Sequence, residues 1–189
     1  MEDIITLVGP RAVGKTTIGK ELAYITGYEF IDLDVLMNEE LKSDGGLLSF
    51  AEKYGWDVYM HRLHLFLKKL LRRLNGKKII LDLGGGTISS EFPISEKNAH
   101  LVKSHSKIFL ILPYEEDDKN TRILVERELQ RKRKNFWQGW NDEKIREKAI
   151  KDYFDRLPGF KRHAHHHIYT KEQSPRKVAK IIMKIAKIN

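Results

Sequence analysis

Gly9-Pro10-Arg11-Ala12-Val13-Gly14-Lys15-Thr16 is the stretch that decides the fold of this 189-residue chain. It fits the pattern G-x-x-x-x-G-K-[ST], a loop whose backbone N–H groups surround phosphate oxygens. The apolar run Ile4 to Val8 precedes the loop and predicts a buried strand, and Thr17 to Tyr24 has the pattern of a helix. A strand before the loop and a helix after it distinguish a true P-loop from a chance match. The sequence therefore predicts a nucleoside triphosphate site.

The residue types in this loop suit that chemistry. Glycine at 9 and 14 lets N–H groups turn onto phosphate oxygens that a side chain would obstruct. Lys15 is expected to reach the β- and γ-phosphates, and the Thr16 hydroxyl is expected to bind Mg²⁺, while the helix N-terminus adds partial positive charge. The residues predicted to bind the nucleotide are Gly9, Arg11, Ala12, Val13, Gly14, Lys15, Thr16 and Thr17.

Composition limits the class of protein. Apolar residues make up 41% of the chain and charged residues 32%, which is typical of a soluble globular protein. The 35 Lys and Arg residues exceed the 26 Asp and Glu residues, and the net charge of +9 favours polyanionic ligands: nucleotides, phosphorylated metabolites or nucleic acid. No apolar run approaches the roughly 18 residues of a membrane span, no signal peptide is visible, and cysteine is absent. We expect a cytoplasmic monomer without a membrane partner.

Strand and helix patterns alternate along the chain. This order predicts an α/β fold, a five-stranded parallel sheet sandwiched by helices in a single domain over residues 1–189. A helical insertion is expected over about residues 35–74. The second strand is predicted over 29–34, so that Asp32 and Asp34 lie at its carboxyl end, and the third strand runs into Gly84-Gly85-Gly86. Ligands bind at this edge of open parallel sheets. Later segments predict a helix over 142–157 and a fifth strand over 168–170.

Four motifs in this order resemble the shikimate kinases, within the nucleoside-monophosphate-kinase-like group of P-loop kinases. They are the P-loop, the Asp-x-Asp at 32–34, the three glycines at 84–86, and a basic segment late in the chain. Arg156-Leu157-Pro158-Gly159-Phe160 also resembles that family's Arg-x-Pro-Leu-Tyr segment. The resemblance covers most of the chain.

The resemblance implies an enzyme of aromatic amino acid biosynthesis that uses ATP and Mg²⁺ to convert shikimate to shikimate 3-phosphate. Asp34 would hold the substrate hydroxyls and help to deprotonate the attacking one, and Asp32 would lie in the Mg²⁺ shell. Gly84, Gly85 and Gly86 would present backbone N–H groups to the substrate. Arg156 would bind the substrate carboxylate, because a guanidinium matches two carboxylate oxygens.

The basic segment Arg131-Lys132-Arg133-Lys134 is expected to be part of a lid over residues 131–142. Such kinases bring an arginine to the phosphates from this position, and Arg133 or Arg131 is the candidate. Phe136 and Trp137 follow the basic residues, and this pairing is also found on nucleic-acid-binding surfaces. A non-catalytic nucleotide- or nucleic-acid-binding protein is therefore an alternative. We prefer the lid, because no other feature indicates a fold that binds RNA or DNA.

The chain departs from the family pattern in the predicted substrate insertion. The family has an aromatic-Arg-x-x-Glu segment there, whose arginine binds the substrate carboxylate, but here Met60 follows Tyr59 and Leu63 replaces the glutamate. Arg62 lies two residues further on, about 200° around a helix, and is expected to face elsewhere. A kinase for another small hydroxylated metabolite, such as a sugar acid, therefore stays open beside shikimate kinase.

A run of histidines precedes the fifth predicted strand. His163, His165, His166 and His167 could in principle bind a transition metal. Side chains alternate between the two faces of an extended strand, and no carboxylate follows them closely. We expect surface and partly packed histidines.

Overall fold

The computed structural model describes residues 3–131 and 139–188, with the side chain of residue 131 outside this description. Residues 132–138, which include Arg133, Phe136 and Trp137 of the predicted lid, lie outside the described residues. The strands are β1 (Ile4–Val8), β2 (Glu29–Asp32), β3 (Ile79–Asp82), β4 (Lys107–Leu112) and β5 (His166–Tyr169). The helices are α1 (Lys15–Thr26), α2 (Leu33–Glu40), α3 (Leu47–Tyr54), α4 (Trp56–Leu74), α5 (Ile94–Lys103), α6 (Asp117–Arg131), α7 (Asp142–His163) and α8 (Pro175–Ala186).

The five strands form one parallel sheet in the order β2-β3-β1-β4-β5, as predicted. Every residue of β1 and β3 is buried. Because neighbouring side chains in a strand point to opposite faces, burial of all of them means that both faces of the sheet are covered. Helix α1 packs on α8, α4 on α5, and α6 on α7. Helices therefore cover the sheet on both faces.

The strand order places β1 at a switch point. From β3 the chain crosses to the opposite side of β1, where β4 pairs with it. Connections that diverge to the two sides of one strand leave a crevice beyond its carboxyl end. Gly9 directly follows β1, so the P-loop lies at this crevice, between the ends of β3 and β4. The topology thus selects the edge of the sheet where a ligand can bind.

Strand β2 is shorter than the sequence predicted. It ends at Asp32, and Leu33 already begins α2, so Asp34 lies in the first turn of a helix and not on a strand. The reason is local: the Asp32 carboxylate accepts hydrogen bonds from the N–H groups of Asp34 and Val35, at 3.0 and 3.3 Å, and so caps the helix. The cap ends the strand two residues early.

Helix α7 is longer than predicted. The sequence analysis ended it at Leu157, before Pro158-Gly159, but it continues to His163 with Pro158 inside it. Proline removes one helical hydrogen bond and usually breaks a helix. Here Leu157, Phe160 and His163 are all buried, and this packing holds the last turns in helical form. The fifth strand shifts accordingly, to His166–Tyr169 in place of 168–170.

Residues 33–74 form helices α2 to α4, with a short 3-10 turn at Lys42–Asp44. These helices occupy the predicted insertion between β2 and β3, and their breaks fall at glycines, Gly45-Gly46 and Gly55. Over residues 3–131 and 139–188, none of the helices is both long and apolar enough to cross a membrane. Because α2 begins at the carboxyl end of β2, the insertion adds a helical wall beside the P-loop end of the sheet.

Gly9 is the point where the P-loop touches the sheet. Its φ is +144°, and a Cβ atom at this position would lie 2.5 Å from the backbone oxygen of Ile111. We expect Gly9→Ala to lower the free energy of unfolding by about 2–4 kcal/mol, because it combines overpacking against backbone with a strained φ.

Gly27→Ala is the matched control. Gly27 also has positive φ, at +71°, but a Cβ there meets nothing within 4 Å. Its cost should be only about 1 kcal/mol, the strain of the left-handed conformation. Urea unfolding of both variants measures the difference, and equal losses would show that the close approach to Ile111 does not constrain the loop.

Candidate active site

The P-loop joins β1 to α1 with the geometry of an anion site. Gly9, Ala12 and Gly14 all have positive φ, and this turns successive backbone N–H groups toward one side. Gly14 is the N-cap of α1. Because glycine has no side chain, this residue makes no side-chain capping hydrogen bond to the first turn of the helix. The N-terminal N–H groups of α1 thus point toward the concave side of the loop, together with the positive end of the helix dipole.

Lys15 lies over this loop. Its Nζ donates hydrogen bonds to the carbonyl oxygens of Gly9 and Pro10, at 3.1 and 3.2 Å. These contacts hold the ammonium group above the turned N–H groups of the loop. The backbone of the predicted nucleotide-binding residues 9 and 11–17 thus runs without a break from the end of β1 into the first turn of α1.

Asp82 is a site residue that the sequence analysis missed. It ends β3, is 4% exposed, and accepts a 2.7 Å hydrogen bond from the Thr16 hydroxyl at its Oδ2. Pairing of Leu7 with Asp82 in the sheet brings this carboxylate beside the start of the P-loop. A carboxylate at the end of an otherwise apolar strand was the signal in the sequence that could have found it.

Burial raises the pKa of the Asp82 carboxyl above its ordinary value. Lys15 and the Thr16 hydrogen bond act in the opposite direction, and the nearby carboxylates of Asp32 and Asp34 raise the pKa further. Three carboxylates therefore lie within electrostatic range of one another at the P-loop. This concentration of negative charge attracts cations to the P-loop end of the sheet.

The two predicted carboxylates of β2 have different surroundings. Oδ1 of Asp32 caps α2, so one of its oxygens is engaged by the backbone. The Asp34 carboxylate lies directly against Gly84, where a Cβ atom would overlap its Oδ1. Asp34 is thus brought to the glycine loop, as the resemblance implied, although from a helix turn. A role for Asp32 at a metal stays a prediction.

Arg156 reaches the same loop from α7. Its Nη1 lies 3.3 Å from the position that a Cβ of Gly85 would occupy, and its Cζ lies 4.0 Å from the corresponding position at Gly86. Asp152, one helical turn earlier, pairs with it at 3.5 Å between Oδ2 and Nη2. The predicted substrate-binding residues 34, 84–86 and 156 therefore share one end of the sheet.

Buried hydrogen bonds hold the segment that follows the glycines. The Asn98 side chain donates to the Thr87 carbonyl at 3.1 Å, and its Oδ1 lies 2.8 Å from His64 Nδ1. The amide oxygen can only accept, so Nδ1 of His64 carries the proton. The Ser89 hydroxyl donates to the Arg156 carbonyl. Helices α4, α5 and α7 are thereby all connected to the loop that presents Gly84–Gly86.

A cavity lies beside the P-loop, between α6 and α7. Arg11 extends along it from the P-loop, and its Nη2 lies 3.5 Å from Oε2 of the buried Glu128 on α6. The residues that line the cavity are Pro10, Arg11, Leu124, Glu128, Ala149, Asp152, Tyr153 and Arg156. Two arginines and two carboxylates therefore surround one small space.

The face of α4 nearest this region is apolar. Tyr59, Met60 and Leu63 are buried, and burial together with nearby Asp34 raises the pKa of the Tyr59 phenol. Arg62 points away: its side chain is 51% exposed and pairs with Glu40 at 2.9 Å. The structure thus confirms that Arg62 faces elsewhere, and α4 presents Met60 where the family pattern has a guanidinium.

The histidine run divides between two elements. His163 ends α7, where its Nε2 lies 3.1 Å from Oε2 of Glu96, whereas His166 and His167 belong to β5. His165 Nδ1 accepts a hydrogen bond from the Ile108 N–H. Among residues 3–131 and 139–188, no group of three or more His, Asp or Glu side chains is arranged to hold a metal ion by itself.

The chain is similar to known proteins along most of its length. A model of the shikimate kinase family matches residues 11–187. The chain is 37% identical over 124 residues to the pentafunctional AROM polypeptide of Pneumocystis carinii, covering 62% of the chain and 8% of that protein. It is 32% identical over 111 residues to shikimate kinase 2 of Yersinia enterocolitica, covering 59% of the chain and 58% of that protein. The matched part is thus less than two thirds of the length of either relative.

Solved structures show the same fold over nearly the whole chain. Shikimate kinase from Acinetobacter baumannii in complex with shikimate superimposes with a TM-score of 0.73 at 27% identity, covering 97% of this chain and 93% of that one. Shikimate kinase from Bacteroides thetaiotaomicron superimposes with a TM-score of 0.80 at 18% identity, covering 97% and 98%. The second likeness, at this identity, concerns the fold alone.

The buried Asp82 carboxylate yields a test that separates stability from ligand binding. Because folding raises its pKa, the folded chain binds this proton more tightly than the unfolded chain, and Asp82 lowers stability at pH 7. Asp82→Asn can still accept from Thr16 without the charge, and we expect it to raise the free energy of unfolding at pH 7. The gain should disappear below about pH 4, where the carboxyl is protonated in both states.

The same variant should weaken Mg²⁺-dependent nucleotide binding by about 10–100-fold, the usual effect of changing a group that orients a metal ligand. Urea unfolding at pH 7 and pH 3.5, with calorimetric titration of nucleotide, provides both measurements. Asp57→Asn, an exposed carboxylate in the first turn of α4, is the control. A loss of stability at pH 7 with unchanged binding would contradict the assignment.

Proposed function

This chain belongs to the shikimate kinase family, and from that premise we propose that it transfers the γ-phosphoryl group of ATP to a hydroxyl of shikimate, giving shikimate 3-phosphate and ADP. The observation that supports this most is the position of Asp34. Its carboxylate lies against Gly84, within electrostatic range of Asp82 and so of the P-loop. An alcohol bound at Gly84–Gly86 would have a proton acceptor on one side and the nucleotide site on the other.

The P-loop residues would bind the triphosphate. N–H groups of residues 9–16 and the N-terminus of α1 would surround the phosphate oxygens, and Lys15 would exchange its two carbonyl contacts for phosphate oxygens. The hydroxyl of Thr16 and the carboxylate of Asp82 are oxygen donors of the kind that Mg²⁺ prefers. Mg²⁺ bound there would neutralise phosphate charge. Asp32 is the further acidic residue that we propose beside it.

The acceptor would be oriented by three groups. N–H groups of Gly84, Gly85 and Gly86 would line one side, and Arg156, which lies against Gly85, would offer its guanidinium to the carboxylate. Asp34 accepts the proton of the attacking hydroxyl as the new P–O bond forms and the bond to the ADP oxygen breaks. Phosphoryl transfer needs positioning and charge neutralisation above all, and these side chains supply both.

We propose further that residues 131–142 act as a lid, with Arg133 or Arg131 reaching the transferred phosphoryl group. Support comes from the position of this segment between α6 and α7, the helices that line the cavity beside the P-loop. A closed lid would exclude water and thereby suppress hydrolysis of ATP.

We also propose that the chain acts as a cytoplasmic monomer. Its charged and apolar fractions, 32% and 41%, are those of a soluble domain, and a sequence with 0 cysteines suits a reducing compartment. Equilibrium sedimentation tests the monomer directly.

A different acceptor is the second candidate, and Met60 is the observation that favours it. The apolar face of α4 offers no charged group at the position where the family pattern has an arginine. Losing one charge-assisted contact costs about 1.5–3 kcal/mol, which is enough to change the preferred substrate. A small hydroxylated metabolite such as a sugar acid would then take the place of shikimate.

The decisive experiment is a turnover assay with ATP, Mg²⁺ and shikimate. We expect ADP release that depends on shikimate, and Asp34→Asn should reduce kcat by about 10²–10⁴-fold because the general base is lost. Asp57→Asn is the control for an exposed carboxylate. Lack of turnover at millimolar shikimate, with turnover of a sugar acid, would establish the second candidate instead.

The lid proposal predicts a difference between two neighbouring arginines. If one of them reaches the phosphoryl group, its change to alanine should lower kcat by about 10²-fold or more, while the other change should have little effect. Arg131→Ala and Arg133→Ala, each assayed for kcat and for ATP hydrolysis without acceptor, make the comparison. Two unaffected variants would contradict the lid role for this pair.

A further inference from the structure

We propose that Arg11 is a second substrate-binding arginine, which together with Arg156 holds the carboxylate of the acceptor. This inference rests on the proposed function and goes beyond it, since Arg11 was expected only to belong to the phosphate loop. Its side chain, however, lies beside Gly85, where the acceptor would bind. The proposal names the residue that supplies the charge which α4 does not.

Arg11 and Arg156 both lie beside Gly85. Arg11 Cγ lies 3.7 Å, and Arg156 Nη1 3.3 Å, from the place where a Cβ of Gly85 would be. The two side chains thus contact the same glycine from different elements, one from the P-loop and one from α7. Both also line the cavity between α6 and α7. A carboxylate next to Gly85 would lie beside the Arg156 guanidinium and beside the side-chain stem of Arg11, whose guanidinium follows along the same side chain.

Carboxylates balance the positive charges of both arginines. Each arginine has its own carboxylate: Glu128 on α6 lies 3.5 Å from Arg11 Nη2, and Asp152 on α7 lies 3.5 Å from Arg156 Nη2. These distances exceed the roughly 2.7–2.9 Å of a tight charge-assisted hydrogen bond. The carboxylates therefore balance two adjacent positive charges. A guanidinium has five N–H donors, so one edge can stay near its partner while another binds substrate.

The packing of α6 against α7 holds the carboxylate partners of the two arginines in place. Glu128 is 2% exposed, and a buried carboxylate beside a guanidinium limits where that group can go. Helices α6 and α7 are joined by Tyr153, whose hydroxyl donates to Asp117 at 2.8 Å and accepts from Asn120 at 3.0 Å. The two carboxylate partners are consequently held at a fixed separation, and so are the arginines that they orient.

Arg62 on α4 does not supply a charge to this site. Arg62 pairs with Glu40 at an exposed position, and Met60 and Leu63 are buried on α4. In the described part of the chain, α4 thus directs no cationic side chain from positions 60–63 into the site. Arg11 reaches Gly85 from the loop that would hold the triphosphate. Recognition of the acid and of the nucleotide would share one loop.

The test compares an acid with its neutral analogue. Arg11→Ala should lower kcat/KM for shikimate by about 10–100-fold, mainly through KM, and should lower it for the carboxamide of shikimate by no more than about threefold. Arg11→Lys, which keeps the charge but not the planar fork, should fall between wild type and alanine. The KM for ATP should change by less than about threefold, because the phosphates would be bound by the backbone of residue 11, which the variant keeps.

Arg62→Ala is the matched control, an arginine from the neighbouring helix that should leave kcat/KM for both acceptors unchanged. Equal losses with the acid and the carboxamide in Arg11→Ala, or a rise in the KM for ATP alone, would overturn the inference. A wild-type chain that does not turn over shikimate overturns the proposed function as well. Turnover by the wild type with an unaltered acid preference in Arg11→Ala overturns only the inference. Thermal unfolding of each variant identifies a loss of folded protein.

Discussion

The position of β1 in the middle of the sheet is the constraint on which the rest of the structure depends. Both faces of β1 are covered and both of its edges are paired with other strands. A ligand can therefore approach β1 only beyond its carboxyl end. There Gly9 turns against the Ile111 carbonyl, at a distance that no side chain could tolerate. The path of the P-loop, the start of α1 and the position of Lys15 all follow from this turn. The ends of β3 and β4 then determine which groups surround the loop.

Sequence reasoning was most successful where local patterns and tertiary packing agree. The P-loop, the parallel sheet and the approach of Asp34 to Gly84 were predicted because each of these motifs follows a strand, and parallel strands end at one edge. The role of Arg156, which lies on a helix, was implied by the family resemblance alone. It was wrong where a single side chain or a packed face decided the outcome. The Asp32 cap ended β2 early, and burial of Phe160 and His163 carried α7 past Pro158.

Asp82 and Arg11 show a different limit of the sequence. Asp82 ends an apolar strand, and without the pairing of β3 with β1 nothing links it to Thr16, 66 positions away. Arg11 belongs to the P-loop motif, which accounts for the position of its backbone. Nothing in the sequence indicated where its side chain lies. Its approach to Gly85 and Glu128 depends on how α6 and α7 pack, which local pattern does not encode. Long-range contacts of single side chains are the part that only coordinates provide.

The two outer strands of the sheet also have a consequence for handling the protein. Strands β2 and β5 are four residues each, and β2 passes directly into a helix. Edge strands this short leave few backbone N–H and C=O groups with which a strand of another molecule could pair. Edge-to-edge aggregation is thereby discouraged, and concentrated samples of the chain should stay dispersed enough for crystallisation or for measurements in solution.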